Sequence, residues 1–291
     1  MERVAVVAHQ RKSLDGGLPD LRRQLADAGV EEPLWFEVPK SRKAPKRVRD
    51  AIRQGAELVL VWGGDGMVQR CIDVLAGHDV ALGILPAGTA NLLATNLGIP
   101  HDLDEALRVA LSGRNRRLDV GRVNGEHFAV MAGVGFDARM IGGADGSSKD
   151  KLGRLAYVRS GVKATRAGAA KVRIKVDGVR WFKGAATCVL VGNVGTATGG
   201  LVVFRDAEPD DGVLDVGVVT AKGSLQWLRL LSRAARKEPG RSPFVHMTRA
   251  RKVDVRLDRD VLYELDGGSR SKVSRLRFRV EPGAITVRVP A

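Results

Sequence analysis

The first part of the chain alternates short apolar runs with amphipathic segments, which is the pattern of strands followed by helices. The apolar runs are VAVVA, LWFEV, LVLVW and VALGIL. The helix after the first run carries Leu21 and Leu25 at core spacing and ends at Gly29. The last helix of this part starts with a capping box, in which Asp102 is followed three residues later by Glu105. The pattern predicts an open, mostly parallel α/β sheet.

Near Arg116 this alternation gives way to a series of short strands. Asn124-Gly125 and Asp177-Gly178 each separate two such runs, and both dipeptides are typical of two-residue hairpin turns. A series of strands after an α/β part predicts a second domain that is antiparallel, in the form of a β-sandwich. We therefore expect an α/β domain over residues 1–117 and a β-sandwich domain over residues 118–291. The active site is expected in the cleft between them.

The composition narrows the class of ligand. The net charge of +15 fits an anionic partner, although it could also serve solubility alone. Aromatic residues are only 4% of the chain and the basic residues are spread along it, which argues against nucleic acid as the main ligand. Nucleotide phosphates and the headgroups of an anionic membrane are then the expected partners.

Cysteine usage and apolar run length bear on the location of the protein. Cys71 and Cys188 have no metal-binding spacing, so we expect free thiols in a reducing compartment. No signal peptide and no apolar run long enough to span a membrane are evident in the sequence. The expected location is the cytoplasm, with peripheral attachment to the inner face of the membrane as the further possibility.

Two glycine-containing turns follow the third and fourth apolar runs. GGDG begins at Gly63, and PAGTAN ends at Asn91. A glycine turn between a strand and a helix lets the backbone approach a ligand and directs amide groups at an anion. Either turn alone is an ordinary connection, but two on successive strands lie at the same edge of one sheet. The residues expected to bind a nucleotide are Gly63, Gly64, Asp65, Gly66, Gly88, Thr89 and Asn91. Asp65 is expected to hold Mg²⁺ beside it.

GGDG followed by PAGTAN resembles the catalytic domain of diacylglycerol kinases and their bacterial lipid-kinase relatives, within a superfamily that also contains NAD kinases. The second half continues the resemblance. Its motifs are LDVG at 118–121, AGVGFDA at 132–138, KLGRLAY at 151–157, GN at 192–193, GG at 199–200 and PDDGVLD at 209–215. NAD kinases lack this series, which favours the lipid-kinase branch.

The resemblance implies transfer of the γ-phosphate of ATP, with Mg²⁺, to the hydroxyl of diacylglycerol or a related lipid, which gives phosphatidic acid. It implies that Asp119 joins Asp65 in an Asp–water–Mg²⁺ network. It also implies a structural Mg²⁺ held by Asp211 and the carbonyl of Val213. Lys12 or Arg11, in the loop after the first strand, is expected to assist at the phosphates.

Position 268 departs from the family pattern. The family's DG-acid motif is Asp266-Gly267-Gly268 in this chain, and the acid at its third position is the one usually assigned as general base. Asp266 is the expected substitute, with Glu264 as the other candidate. Two alternatives therefore stay open. One is a soluble NAD-kinase-like small-molecule kinase, and the other is a nucleotide- or lipid-binding relative with impaired catalysis.

Residues 224–237 predict an amphipathic helix. Its apolar residues are Leu225, Trp227, Leu228, Leu231 and Ala235. Its basic residues, Arg229, Arg233, Arg236 and Lys237, suit anionic headgroups, so one expectation is a helix that meets the membrane. The alternative is a helix that covers one end of the sandwich. The sequence leaves a homodimer open.

Overall fold

A computed structural model describes residues 2–135, 169–197, 200–236 and 238–291. Parts of the family-like motifs, at 136–138 and 151–157, lie outside these ranges, as do Gly199, Lys237 and the side chain of Ala235. The chain forms two compact units. The first unit comprises Met1–Leu118 and Gly283–Ala291, and the second unit comprises Asp119–Pro282.

The first unit is a parallel sheet with helices between its strands. Its strands are β1 (Val4–His9), β2 (Leu34–Val38), β3 (Leu58–Gly63) and β4 (Ala81–Pro86). Its helices are α1 (Gly17–Asp27), α2 (Ala44–Arg53), α3 (Asp65–Leu75), α4 (Leu92–Asn96) and α5 (Leu103–Ser112), with a 3₁₀ turn at Ser41–Lys43. β3 and β4 are buried along their whole length, which explains their uninterrupted apolar sequences.

The strand order in this sheet is β2-β1-β3-β4, and every pairing between these neighbours is parallel. The carboxyl ends of β1, β3 and β4 therefore lie at one edge, as predicted from the strand–helix alternation. The N-cap hydrogen bond of the predicted capping box is also present, because the Asp102 carboxylate accepts from the amide of Glu105 at 2.9 Å.

The last strand described contributes to both units. The last strand, β14 (Gly268–Val289), leaves the second unit and joins the sheet of the first. Thr286 and Val287 pair in parallel with Ala81 and Leu82 of β4. Because AITVRV has the same alternation as the preceding strands, its sequence does not reveal that its partner lies some two hundred residues earlier.

The second unit contains the other strands described and one long helix. The strands are β5 (Arg114–Val123), whose first residues belong to the first unit, β6 (Glu126–Phe128), β7 (Met131–Val134), β8 (Ala170–Val176), β9 (Val179–Ala186), β10 (Cys188–Gly192), β11 (Leu214–Val219), β12 (Val245–Ala250) and β13 (Lys252–Leu265). The helix, α6 (Gly223–Ala235), connects β11 to β12, with a 3₁₀ turn at Pro239–Arg241. No helix in the described ranges is both long and apolar enough to cross a membrane.

The second unit is an antiparallel sandwich, so the predicted fold class is confirmed. Six of its strands are neighbours in the order β12-β11-β10-β7-β13-β14, and β8 pairs with both β13 and β9. β13 pairs with β8 through its first half and with β7 through its last residues, with a register shift after Arg256. A strand that changes partners in this way is typical of the corner of a sandwich.

The hairpin turns are also confirmed. Asn124 and Asp177 have φ angles of 49° and 48°, and each is followed by a glycine with positive φ, as a type I′ turn requires. Cys71 and Cys188 are buried free thiols, in agreement with the sequence-based expectation.

Candidate functional site

The two glycine turns lie in contact at the carboxyl edge of the parallel sheet. A Cβ atom on Gly64 would lie 3.0 Å from the Cα atom of Gly88, and one on Gly88 would lie 2.3 Å from the Cα atom of Gly64. Backbone therefore packs directly against backbone, and neither position has room for a side chain. This contact joins GGDG and PAGTAN into one surface, which the sequence predicts only as two neighbouring turns.

Asp65 links the same two turns through its side chain. It is the first residue of α3, and its Oδ1 accepts a hydrogen bond of 2.5 Å from the amide of Leu92 at the start of α4. Burial raises the pKa of the Asp65 carboxyl, and hydrogen bonds from backbone amides at the start of α4 act in the opposite direction. The carboxylate thus has a structural task in addition to the predicted one at Mg²⁺.

Asn91 shapes the PAGTAN turn from inside. Its side chain is buried, and its φ of 46° lies in the left-handed region that asparagine tolerates. Its Nδ2 donates to the carbonyls of Pro86 and Gly88 at 2.9 Å each, and its Oδ1 accepts from the amide of Gly88 at 2.9 Å. The turn itself thus uses the Asn91 amide group as donor and as acceptor, and the direct ligand contact predicted for Asn91 stays a prediction.

Other predicted ligand contacts lie on the open side of the turns. Gly66 and Thr89 are exposed, and a Cβ on Gly66 would meet nothing within 4 Å. Gly63 is buried instead, and a Cβ there would lie 2.6 Å from the side chain of Met67. Gly63 therefore accommodates the helix that follows, whereas Gly66 and Thr89 are accessible to a ligand.

The loop after β1 brings cations to the same edge. Lys12 is exposed, and its carbonyl accepts a hydrogen bond of 3.0 Å from the indole nitrogen of Trp62 in β3. Partial burial, followed by the charges of Lys12 and Arg11, lowers the pKa of His9. A histidine whose protonation is opposed by neighbouring cations marks a local excess of positive charge, which suits a bound anion.

Asp119 is buried in the second unit and holds the turn before β11. Its Oδ2 accepts from the amide of Gly212 at 2.6 Å, and its own amide donates to the carbonyl of Pro209 at 2.7 Å. The Asn193 side chain donates to the Asp119 carbonyl at 2.9 Å. The predicted network between Asp119 and Asp65 stays a prediction.

Asp266 occupies the β13–β14 hairpin turn, with a φ of 43°. Its buried carboxylate accepts three backbone hydrogen bonds, from the amides of Ala129, Val130 and Met131, at 2.8–3.0 Å. These contacts fix the connection between β6 and β7. The Asp266 carboxylate therefore has a structural role, and the general-base role predicted for it stays a prediction.

The space beside Gly268 is filled by an arginine. A Cβ on Gly268 would lie 2.7 Å from Nη1 of Arg270, and the same Nη1 donates to the Gly268 carbonyl at 3.2 Å. Arg270 Nε donates to Glu126 at 2.8 Å, and the hydroxyl of Tyr263 donates to Glu126 at 3.2 Å. Sequence reasoning missed this Glu126–Tyr263–Arg270 group because its members come from separate strands.

Comparison with known proteins agrees with this arrangement. Residues 10–123 match the family described as the diacylglycerol kinase catalytic domain, and residues 130–289 match the YegS C-terminal NAD kinase beta sandwich-like domain. A Pseudomonas aeruginosa protein named "Probable lipid kinase YegS-like" is 33% identical over 264 residues, which are 85% of this chain and 82% of the relative. A relative of the same name from Klebsiella pneumoniae is 31% identical over 281 residues, 94% of this chain and 92% of its own. The chain belongs to the YegS-like lipid kinase family.

Solved structures share the fold of this lipid kinase. A diacylglycerol kinase from Bacillus anthracis superposes with a TM-score of 0.76 at 21% identity, over 99% of this chain and 97% of the other. An NAD kinase from Archaeoglobus fulgidus, crystallised with ATP, superposes with a TM-score of 0.53 at 13% identity, over 98% and 93% of the two chains. These structures confirm the fold, and the family matches confirm the predicted resemblance and the predicted kinase class.

An arginine lies beside Asp211, where a structural Mg²⁺ is predicted for this lipid kinase. The Asp211 carboxylate accepts hydrogen bonds from the Val213 amide and from Arg249, and Arg249 Nη2 also donates to the Asp206 carbonyl at 2.8 Å. Arg249 Nε lies 3.5 Å from the carboxylate of Asp215. A guanidinium thus provides the positive charge that a metal would. Within the described ranges, no group of three or more metal-ligating side chains is present.

We expect chelation by EDTA to leave the melting temperature of the lipid kinase unchanged, and Arg249→Met to lower it. Because Arg249 is about half exposed, the loss should be on the order of 1 kcal/mol, or about 2–4 °C for a domain of this size. Differential scanning fluorimetry with and without EDTA checks both results. Arg251→Met, an exposed arginine two residues away, is the control. A fall of several degrees in the melting temperature of the wild type in EDTA would contradict this expectation and favour a bound structural Mg²⁺.

Proposed function

We propose that the protein transfers the γ-phosphate of ATP to the hydroxyl of diacylglycerol or a closely related lipid, with Mg²⁺, at an anionic membrane surface. Nucleotide binding is supported by one observation, the direct contact of Gly64 with Gly88. Hydrogen bonds of the Asp65 and Asn91 side chains hold the two turns in this arrangement. Two rigid glycine turns at one sheet edge form a surface that a phosphate chain can approach closely. The family membership supports the lipid half.

Phosphoryl transfer depends mainly on positioning and on neutralising the charge of the phosphates. The first turn of α3, with exposed Gly66, offers backbone amides and the positive end of a helix dipole to an anion. Thr89 can add a hydroxyl, and Lys12 can add a mobile cation. The shape of this surface is set by residues that pack beneath it, namely Gly63, Gly64, Gly88 and Asn91.

The residues of the first unit fit a Mg²⁺ that arrives with ATP. Such an ion needs only one or two protein carboxylates, because the phosphates supply further ligands. Asp65 would hold it, since the hydrogen bond with Leu92 engages one carboxylate oxygen. When bound, the ion would neutralise charge on the phosphates.

A catalytically impaired nucleotide- or lipid-binding relative is the second candidate, and Gly268 is the observation that favours it. Glycine cannot accept the proton of the lipid hydroxyl, and the carboxylate of Asp266 is engaged by three backbone amides. The two functions differ in turnover, so a transfer assay separates them.

We expect wild-type protein to transfer labelled phosphate from ATP to diacylglycerol in mixed micelles with Mg²⁺, and Asp65→Asn to lose at least about 100-fold of that activity. Asparagine keeps an oxygen for the Leu92 amide but lacks the negative charge that a metal requires. The readout is radioactive phosphatidic acid separated by thin-layer chromatography.

Asp73→Asn, near the other end of α3, is the matched control and should keep full activity. Equal activity of Asp65→Asn and wild type would show that the Asp65 carboxylate has no role in the transfer. Labelled product from NAD, with none from any lipid, would favour the small-molecule kinase. Nucleotide binding without product from either acceptor would favour the impaired relative.

A further inference from the structure

The helix α6 has two faces of opposite character. On one face, Trp227, Leu230 and Ala234 are each no more than 6% exposed, and they border the same apolar space as Leu190 of β10 and Val219 of β11. α6 therefore packs on the sandwich through this face, as its alternative prediction held. The predicted place of Trp227 on the membrane-facing side is wrong.

The other face of α6 combines exposed leucines with arginines. Leu225 is 74% exposed and Leu228 is 51% exposed. At about 100° per residue, these leucines fall with Arg229, Arg233 and Arg236 within an arc of about 140° that lies opposite the buried residues. We call this arc the outward face of α6. The helix sequence, GSLQWLRLLSRAA, contains no acidic residue.

A surface depression of about 560 Å³ lies beside the C-terminal half of the outward face. It is lined by Arg229, Arg233, Arg236 and Arg241, and Glu238 is the sole acid among the lining residues described. Arg233 Nη1 donates to the Arg241 carbonyl at 2.7 Å, and Arg241 Nη1 donates to Glu238 at 2.8 Å. Two of the four guanidinium groups are thus held in place. We call this feature the arginine depression.

The arrangement of these arginines is unfavourable for the helix by itself. Arg229 and Arg233 lie four residues apart, and Arg233 and Arg236 lie three apart, which are spacings at which like charges destabilise a helix. The negative end of the helix dipole favours cations in the last turn, but this accounts for neither Arg229 nor Arg241. An anion bound in the depression would offset the repulsion.

Surface arginines on the helices of the first unit have acidic partners instead. Arg23 pairs with Asp20 in α1, and Arg53 pairs with Asp50 in α2. Mixed charges of this kind are what solubility requires, and solubility is not served by exposed leucines. The outward face of α6 therefore indicates a partner that is both anionic and apolar.

A bilayer that contains anionic phospholipid has both properties. Guanidinium groups bind phosphate oxygens through pairs of parallel hydrogen bonds. Leucine side chains gain free energy when they leave water at the boundary between headgroups and acyl chains. A soluble phosphate compound would use the arginines and leave the leucines exposed.

We propose that the outward face of α6 docks on an anionic bilayer, with headgroup phosphates in the arginine depression and with Leu225 and Leu228 inserted at the hydrocarbon boundary. This inference rests on the proposed function, which requires a membrane, and it names the surface that meets that membrane.

Co-sedimentation with vesicles tests the role of the arginines and needs no turnover. The probes are vesicles of phosphatidylcholine alone and of phosphatidylcholine with phosphatidylglycerol. We expect the wild type to bind only the anionic vesicle, and to bind it less at high salt, because salt screens the charges. Arg229→Gln combined with Arg236→Gln should weaken this binding about 30-fold.

The matched control is Arg173→Gln combined with Lys175→Gln, which removes the same charge from two exposed positions of β8. This control should bind as the wild type does. Equal losses in the two double variants would overturn the proposal, because net charge rather than α6 would then govern binding. Circular dichroism checks folding, and Arg229→Gln alone replaces the α6 pair under the same criterion if that pair does not fold.

A dye at position 225 tests the role of the leucines. Cys71 and Cys188 are buried, and burial raises the pKa of Cys188 to about 12, so a thiol-reactive dye will label an exposed cysteine selectively. We expect a polarity-sensitive dye on Leu225→Cys to emit at shorter wavelength with the anionic vesicle. The same dye on Val179→Cys, at a position in β9 where valine is 70% exposed, should not shift. No shift at position 225 in vesicle-bound protein would overturn the proposal.

Two further measurements test other occupants of the outward face. Calorimetry would assign the depression to a soluble anion if inorganic phosphate bound the wild type and not the Arg229/Arg236 variant, while both proteins bound vesicles equally. Analytical ultracentrifugation would assign the leucines to a second copy of the chain if a dimer dissociated in Leu225→Ser. Either result would overturn the proposal.

The transfer assay separates this inference from the proposed function. For a working kinase, we expect the Arg229/Arg236 variant to lose activity on vesicle-borne diacylglycerol and to keep it on a short-chain diacylglycerol dissolved as monomers. Docking without phosphate transfer to any lipid would support the docking surface and contradict the kinase proposal. Unchanged transfer to vesicle-borne lipid in this variant would contradict the docking surface alone.

Discussion

Gly88→Ala should abolish detectable phosphate transfer, with a loss of at least about 100-fold, because the two glycine turns can no longer meet. The new Cβ would lie 2.3 Å from the backbone of Gly64 and 2.5 Å from Oδ1 of Asn91. Neither neighbour is a flexible side-chain end, so the turns must separate. Overpacking of this kind costs about 1–3 kcal/mol of the free energy of unfolding. Urea denaturation and the labelled-ATP assay measure the two effects.

Gly66→Ala is the companion to this variant. A Cβ at position 66 meets nothing within 4 Å, so the free energy of unfolding should stay the same or rise slightly, as expected for alanine in a helix. Weaker ATP binding by this still-stable protein would indicate that the phosphates pass directly over Gly66. Normal phosphate transfer by a folded Gly88→Ala protein would show that the contact between the turns is not needed. This result would contradict the proposed nucleotide site.

Gly268→Glu should increase kcat by about 10²- to 10⁴-fold, the range that a positioned general base contributes. The nearest atom to the new Cβ is the flexible end of Arg270, which can move aside. The Arg270 guanidinium would also favour the ionised carboxylate, which is the form that accepts a proton.

Gly268→Gln is the control for this gain, because it has the same size and cannot accept the proton. Equal rates for the glutamate and glutamine variants, together with ready turnover by the wild type, would place the base elsewhere. If the wild type is silent and only the glutamate variant turns over, the native protein belongs with the impaired relatives.

The sequence predicted best what depends on neighbours along the chain. Strand–helix alternation gave the shared edge of β1, β3 and β4, and Asn124-Gly125 gave its hairpin turn, because a short dipeptide sets the turn type. The chain's membership of the lipid-kinase branch followed from motif order. These features need no knowledge of which distant segments meet.

What the sequence could not predict depends on contacts across long separations. Asp65 binds an amide 27 residues later, and Asp266 binds amides some 135 residues earlier. Arg249 lies 38 residues from Asp211, and nothing in PDDGVLD indicates that a guanidinium will be its partner. The buried face of α6 could not be predicted for a different reason. Its apolar residues cover a wide arc, and only packing decides which part of that arc is buried.

The discontinuous first unit also has a consequence for synthesis on the ribosome. Its sheet includes residues 286 and 287, which are translated about two hundred residues after their partners in β4, and Arg288 pairs with Glu2. Until this segment leaves the ribosome, β4 presents an unpaired edge, and exposed edges favour pairing with other chains. The second unit can acquire its own strands earlier. The first unit, although its synthesis begins before that of the second, is therefore completed after it, and a fragment ending near residue 118 would keep that open edge permanently.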